Sequence, residues 1–374
     1  MRVTAEGRMP PWHASVEGSV RFRDARVLPA GAAAVLSSWV EGGVLEGDPG
    51  DAPAPRNFGS EWGLGAPDLV LRSGEMYQVP AEGPDETRVF VIPTGLTEGR
   101  WVQGIDFRPT APKVVHHVLA AFDTSGRARQ LDARDPMPGY RTAGGYGFWP
   151  AGEMDGWAPG KAPHRLPDGV ARYLPAGSDL LVQVHYHKSG KVEADATAVG
   201  LYFARAPVDK QLHATGVFPP VKNLLPLRWN LRIPAGAADH EVTGEDVIRQ
   251  DIHIVAVIPH MHWLGKDFLL NAERPDGSAT TLVKIDRWDF NWQETYDLAE
   301  PLALSKGTTL RMRAHFDNSP ANAVNPSRPP VEVRWGEQTT DEMCIAFLHF
   351  TRDDEHLAGR PPARFRQPKE DSGR

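Results

Sequence analysis

Two histidines set two residues apart, His260 and His262, close the apolar run Ile252 to Ile258. On a strand that spacing puts both imidazoles on one face, where neutral rings can grip a transition metal. Such a pair needs at least one further ligand from elsewhere in the chain. Other histidines stand in comparable settings. His116 and His117 are adjacent within the run Lys113 to Phe122. In Leu180 to His187, the side chains of Leu180, Val182, Val184 and Tyr186 point one way, and Gln183, His185 and His187 the other. Each feature alone has an ordinary reading: one histidine facing out, another hydrogen-bonded inside, and Met343 as core packing at the head of Met343-Cys344-Ile345-Ala346.

The elements that must position these residues read as mainly β. The chain has 374 residues with 36 Gly and 34 Pro, and after about residue 45 short apolar alternations separated by turns replace any long helical period. A net charge of −7 without a basic stripe argues against nucleic acid as a partner. The single cysteine, Cys344, excludes an intrachain disulfide. The first residues lack an apolar signal core, and no apolar run approaches a membrane span. Residues 1–48 are expected to be helical, 49–66 a Pro/Gly/Asp linker, and 354–374 a frayed tail. In the long loop from Pro136 to Gly177, Trp149 and Trp157 are expected to pack over a sheet.

In order, His116-His117, His185-Tyr186-His187, His260-Met261-His262-Trp263-Leu264-Gly265-Lys266 and Glu342-Met343-Cys344 resemble the copper type II ascorbate-dependent monooxygenases over residues 68–352. The resemblance implies two tandem antiparallel, jelly-roll-like β-sandwich domains, here 67–207 and 208–353, each holding one copper and facing the other across a solvent-filled cleft. His116, His117 and His185 match the ligands of an electron-transfer copper; His260, His262 and Met343 match those of an oxygen-binding copper. A thioether favours Cu(I) over zinc, which agrees with that assignment. The implied activity is hydroxylation of a C–H bond with O2 and two electrons, drawn from ascorbate or a cytochrome-type electron-donor protein, in a periplasmic or extracellular setting. Residues 1–48 resemble the C-terminal half of a c-type cytochrome domain, with Met9 before Pro10-Pro11-Trp12 where an axial ligand would stand, as in the bacterial branch. Haem attachment needs Cys-x-x-Cys-His, which the chain lacks, so Met9 is expected to be a remnant.

The chain departs from the peptide-amidating members where they hold a substrate carboxylate. Those positions are Ile258, Ile345 and Phe347, which points to a small neutral or apolar substrate. Two other classes stay open: a non-catalytic copper-binding or redox module using the same sites, and a zinc hydrolase, which is weakened because no glutamate stands within the histidine motif as a base. His116 and His117 would point to opposite faces of a regular strand, so sharing a metal requires a bend there. Gln183 could orient His185. His187, Met261, His253, His315 and His349 read as ordinary residues, and Cys344 as a buried free thiol.

Overall fold

The computed structural model describes residues 2–15, 18, 20–54, 62–159, 161–223, 228–229, 231–336 and 338–365. Alternating apolar residues pair the strands into two sandwiches, as expected. In the first, one sheet runs Leu69–Arg72, Ala198–Phe203, Arg100–Arg108, Val170–Leu174 and Lys210–Gln211. The other runs Tyr140–Thr142, Glu86–Pro93, Asp179–Tyr186, Val115–Asp123 and Gly152–Trp157. Neighbours are antiparallel, except that Lys210–Gln211 lies parallel to Val170 and Ala171. Leu180, Val182, Val184 and Tyr186 fill the space between the sheets with Val102, Phe107, Val199 and Leu201. The opposite face is dry as well. The helix Arg127–Asp132 and the segment 140–148 cover it through Ala128, Tyr140 and Tyr146. Gln183 therefore needs an internal partner, and its amide donates to the Gly145 carbonyl; that loop contact, not His185, takes up its hydrogen bond.

The second sandwich stacks His213–Val217, Cys344–Arg352, Ile252–Met261 and Tyr296–Leu304 on His240–Val247, Thr309–Phe316, Gly265–Glu273 and Ala279–Ile285. Its core holds Val257, Met261, Phe268, Leu270, Met312, Phe316, Ala346 and Leu348. Each such side chain stabilises the fold by roughly 1.5–3 kcal/mol through burial. Cys344 is a buried free thiol with its sulfur 3.8 Å from that of Met312. Of the run Leu224 to Ile233, Arg228–Trp229 and Arg232–Ile233 are strands, while 224–227 and 230 lie outside the described residues. A small apolar cluster, Leu166, Leu212 and Val255, joins the sandwiches, with His164 Nε2 3.2 Å from Asp297 Oδ1 beside it.

The ends of the chain differ from expectation. Among the described residues of the first 48, only Arg2–Ala5 and Ala32–Glu41 are α-helical, and Ala32–Glu41 buries no residue. Described residues between them lie on the second sandwich: Ala14 bridges to Ile285 and Phe22 to Leu298. Ser15 donates its amide to Lys284 O, and Arg23 to Asp297 O. Trp12 meets Phe22 and Tyr296 edge to face, at 5.2 Å from Tyr296, and Phe22 packs tilted against Tyr296. Aromatic burial against a waiting surface outweighs local helical preference here. Met9 is half exposed at 50%. At the other end, residues 354–365 pack back: Leu357 is buried, and Phe365 stacks against Phe122 and Tyr173 of the first sandwich. Residues 366–374 of the expected tail, and 55–61 of the expected linker, lie outside the described residues. Trp157 packs against the first core as expected, but Trp149 is 93% exposed and covers nothing.

Candidate metal centres

The first centre forms where two central strands of the first sandwich meet. Val115 pairs with Tyr186 and His117 with His185, so His116 is an extra residue on its strand. Such a bulge bends the chain and re-aims side chains, which removes the obstacle that adjacent histidines pose on a regular strand. One ring nitrogen from each of His116, His117 and His185 lies within 4.8 Å of the others. The Nδ1 atoms of His116 and His117 are 3.2 Å apart. Two nitrogens each about 2.0 Å from a tetrahedral metal would lie roughly 3.3 Å apart, so this donor set fits an ion of that size. Burial pushes the His116 pKa down to about 4, helped by the neighbouring His185. Burial likewise holds His117 well below the ordinary histidine value. Both rings are therefore neutral at pH 7, with lone pairs available for a metal.

Asp85 steadies this centre from a loop ahead of its strand. Its carboxylate lies 3.1 Å from His185 Nε2 and 2.9 Å from His187 Nδ1, which leaves His185 Nδ1 to face the other imidazoles. Burial opposes ionisation of Asp85, but the two histidines outweigh it and lower its pKa to about 2. His187 stays exposed and touches the centre only through Asp85. Beside His185 opens a cavity of about 430 Å³, lined by residues 85–87 and 141–143 and by Gln338 of the second sandwich.

The second histidine pair sits at the end of Ile252–Met261. The rings of His260 and His262 are 5.2 Å apart and nearly perpendicular, at 88°. His260 pairs with Ile345 and Met261 with Cys344. Met261 and Cys344 point into the core, whereas Met343, one residue before that strand, is buried at 7% exposure and lies outside the core cluster; the register extended by one step would set it opposite His262. Glu342 locks the arrangement. Its buried carboxylate accepts the amides of His262 at 2.8 Å, Leu264 at 2.6 Å and Met343 at 3.1 Å. Burial pushes the Glu342 pKa up to about 8 even against those three donors.

Hydrogen bonds also choose which nitrogen each ring presents. His260 Nδ1–H donates to Gln293 Oε1 at 2.6 Å, and His262 Nδ1–H to Asp341 O at 3.1 Å, leaving both Nε2 atoms as acceptors. Burial lowers the pKa of His260 to about 3 and of His262 to about 4. Two of the other histidines pair outside both centres: Nδ1 of His253 lies 2.6 Å from Asp353, and Nδ1 of His315 2.8 Å from Asp267.

Aromatic rings from the two sandwiches meet between the centres. Phe290, from the loop between Ala279–Ile285 and Tyr296–Leu304, fills the space between them. Its ring stacks on His116 at 4.8 Å and 18° and meets His262 edge-on at 5.9 Å. It is 5% exposed. Sequence reasoning missed Phe290, Gln293, Asp85 and the holding role of Glu342. Only Glu342 left a signal, as the acidic neighbour of Met343.

Residues 232–358 match the family model of the copper type II ascorbate-dependent monooxygenase, C-terminal domain. Curated relatives agree. DBH-like monooxygenase protein 2 of Mus musculus is 23% identical over 212 residues, covering 52% of this chain and 32% of that protein. Putative DBH-like monooxygenase protein 2 of Homo sapiens is 22% identical over 213 residues, covering 52% and 39%. The chain thus spans about a third of the length of these relatives. The infectious bursal disease virus VP2 subviral particle matches over 79% of this chain and 73% of its own, at 7% identity and a TM-score of 0.23, too slight a likeness to bear on the fold. The matched segment carries His260, His262 and Met343, and over that segment the chain is similar to the copper type II ascorbate-dependent monooxygenases.

Proposed function

We propose that this chain is a copper monooxygenase that hydroxylates a C–H bond of a small neutral or apolar substrate. It would use O2 and two electrons, one from each of two separate coppers. His116, His117 and His185 would hold the first ion; His260, His262 and Met343 would hold the second. The observation that carries the reading is the bulge at His116, which gathers three imidazoles at one point. Bound copper supplies a one-electron couple and, where one ligand is a soft thioether, a place for O2.

The chain's own residues do the rest. Gln293 and Asp341 fix the tautomers of His260 and His262, and Glu342 fixes Met343 relative to them. Ile345 and Phe347 share the His260 face, and Phe218 meets Phe347 edge-on at 6.1 Å. That wall offers apolar contact and no cation for a carboxylate, which supports a neutral or apolar substrate. Ascorbate or a cytochrome-type protein is the proposed reductant, in an extracytoplasmic setting. No helix of the described residues is long and apolar enough to cross a membrane.

The test combines copper counting with reductant-driven O2 uptake. Wild type should bind two coppers and consume O2. Met343→Ala should keep the three-histidine copper and lose uptake by roughly 100-fold or more, the scale of about 2.7 kcal/mol of lost transition-state stabilisation. Equal uptake in the two proteins would overturn the assignment of Met343, and stoichiometric zinc without copper preference would overturn the metal.

A further inference from the structure

One side chain, Phe290, stands between the centres, and the loop that carries it also grips the second centre. Trp288 Nε1–H donates to His262 O at 3.1 Å, Gln293 meets His260, and Gln293 Nε2–H donates to Phe290 O at 3.1 Å. Trp263, next to His262, packs on the Phe290 ring at 4.4 Å. Phe290 is thus fixed to the second sandwich while its face lies on His116 of the first. His116 is the residue that most needs such support. As the bulged residue it has no opposite neighbour in the ladder to set its direction.

We propose that Phe290 is a positioning residue that sets the separation of the two copper centres and keeps the path between them dry. A flat, apolar ring suits both tasks. It stacks on a neutral imidazole without competing for its lone pair, and it offers water no hydrogen bond. From His185 to His116, Phe290, His262 and His260, successive ring centroids are 5.1, 4.8, 5.9 and 5.2 Å apart, so the centres are joined by packed rings from end to end. Truncating Phe290 would open a void between two sets of polar nitrogens, which water would enter. His116 would then be free to turn, and the sandwiches would lose a contact that fixes their spacing.

This inference rests on the two-copper reading, so copper is counted first. Wild type, Phe290→Ala, Phe290→Leu and Phe290→Tyr are loaded with Cu(II), and the dipolar interaction between the ions is measured by electron paramagnetic resonance. Wild type and Phe290→Tyr should show one strong interaction. Phe290→Leu should weaken it. Phe290→Ala should broaden it and slow single-turnover oxidation of the first copper at least tenfold. Two bound coppers with an unchanged interaction in Phe290→Ala overturn the role of Phe290 alone. If Phe290→Ala lacks native circular dichroism, Phe290→Leu carries the same test, and an unchanged interaction there overturns the role. Fewer than two coppers in wild type overturns the reading beneath it.

Discussion

Replacing Glu342 with alanine should cost the fold roughly 3 kcal/mol or more, because three buried donors lose their acceptor. The reason is what the side chain leaves behind. Three buried backbone amides, those of His262, Leu264 and Met343, donate to one carboxyl group. A buried donor left without an acceptor costs roughly 1–3 kcal/mol, and three in one place share no obvious substitute. The damage should also be local in kind, because the same bonds hold the strand end that carries the histidine pair against the strand start that carries Met343. Urea unfolding of the metal-free chain gives the first readout, and copper stoichiometry gives the second. Glu342→Gln keeps an acceptor oxygen but turns an NH2 toward amides that need acceptors, so it should lie between alanine and wild type. A Glu342→Ala chain as stable as wild type would show that these amides find other partners.

The metal-free protein should lose stability on mild acidification. Folding lowers the pKa of His116 to about 4, of His260 to about 3 and of His262 to about 4 from an ordinary 6.5. The native state therefore binds fewer protons than the unfolded chain across that window. The sign follows directly: this contribution is complete above pH 6.5 and is lost as the pH falls through the native values. At about 1.4 kcal/mol per unit, even one such histidine is worth on the order of 3 kcal/mol when fully protonated. Glu342 acts in the opposite sense in the same range, since its pKa is raised to about 8. Comparing urea midpoints at pH 7.5 and 5 for wild type and His260→Asn separates the two. The wild type should fall more steeply, and parallel losses would mean that His260 does not resist protonation.

How much of this was legible in the sequence depended on how local each cause was. The alternation of Leu180 to Tyr186 could be read directly, because a period of two is a property of the strand itself. The order of the histidine motifs and Met343 pointed to the family for a similar reason. The bulge at His116 could not be read: an inserted residue changes the pairing, not the composition. Phe290 and Asp85 act from loops, on partners 174 and 100 residues away in sequence (Phe290 on His116, Asp85 on His185), and nothing in their neighbours marks them. The N-terminal stretch misled for the opposite reason. Its prolines and apolar spacing resembled one kind of segment, while the surface it meets imposed another.

That stretch has a consequence for how the protein behaves in company. Ala279–Ile285 and Tyr296–Leu304 are each the last strand on one side of their sheets. A terminal strand presents unpaired amides and carbonyls that can recruit another chain. Described residues at 14–15 and 21–23 meet both strands, taking up hydrogen bonds at Lys284 and Asp297 and bridging to Ile285 and Leu298. The strap that was expected to be a leftover helix is thereby a stopper, guarding the second sandwich against strand-to-strand aggregation.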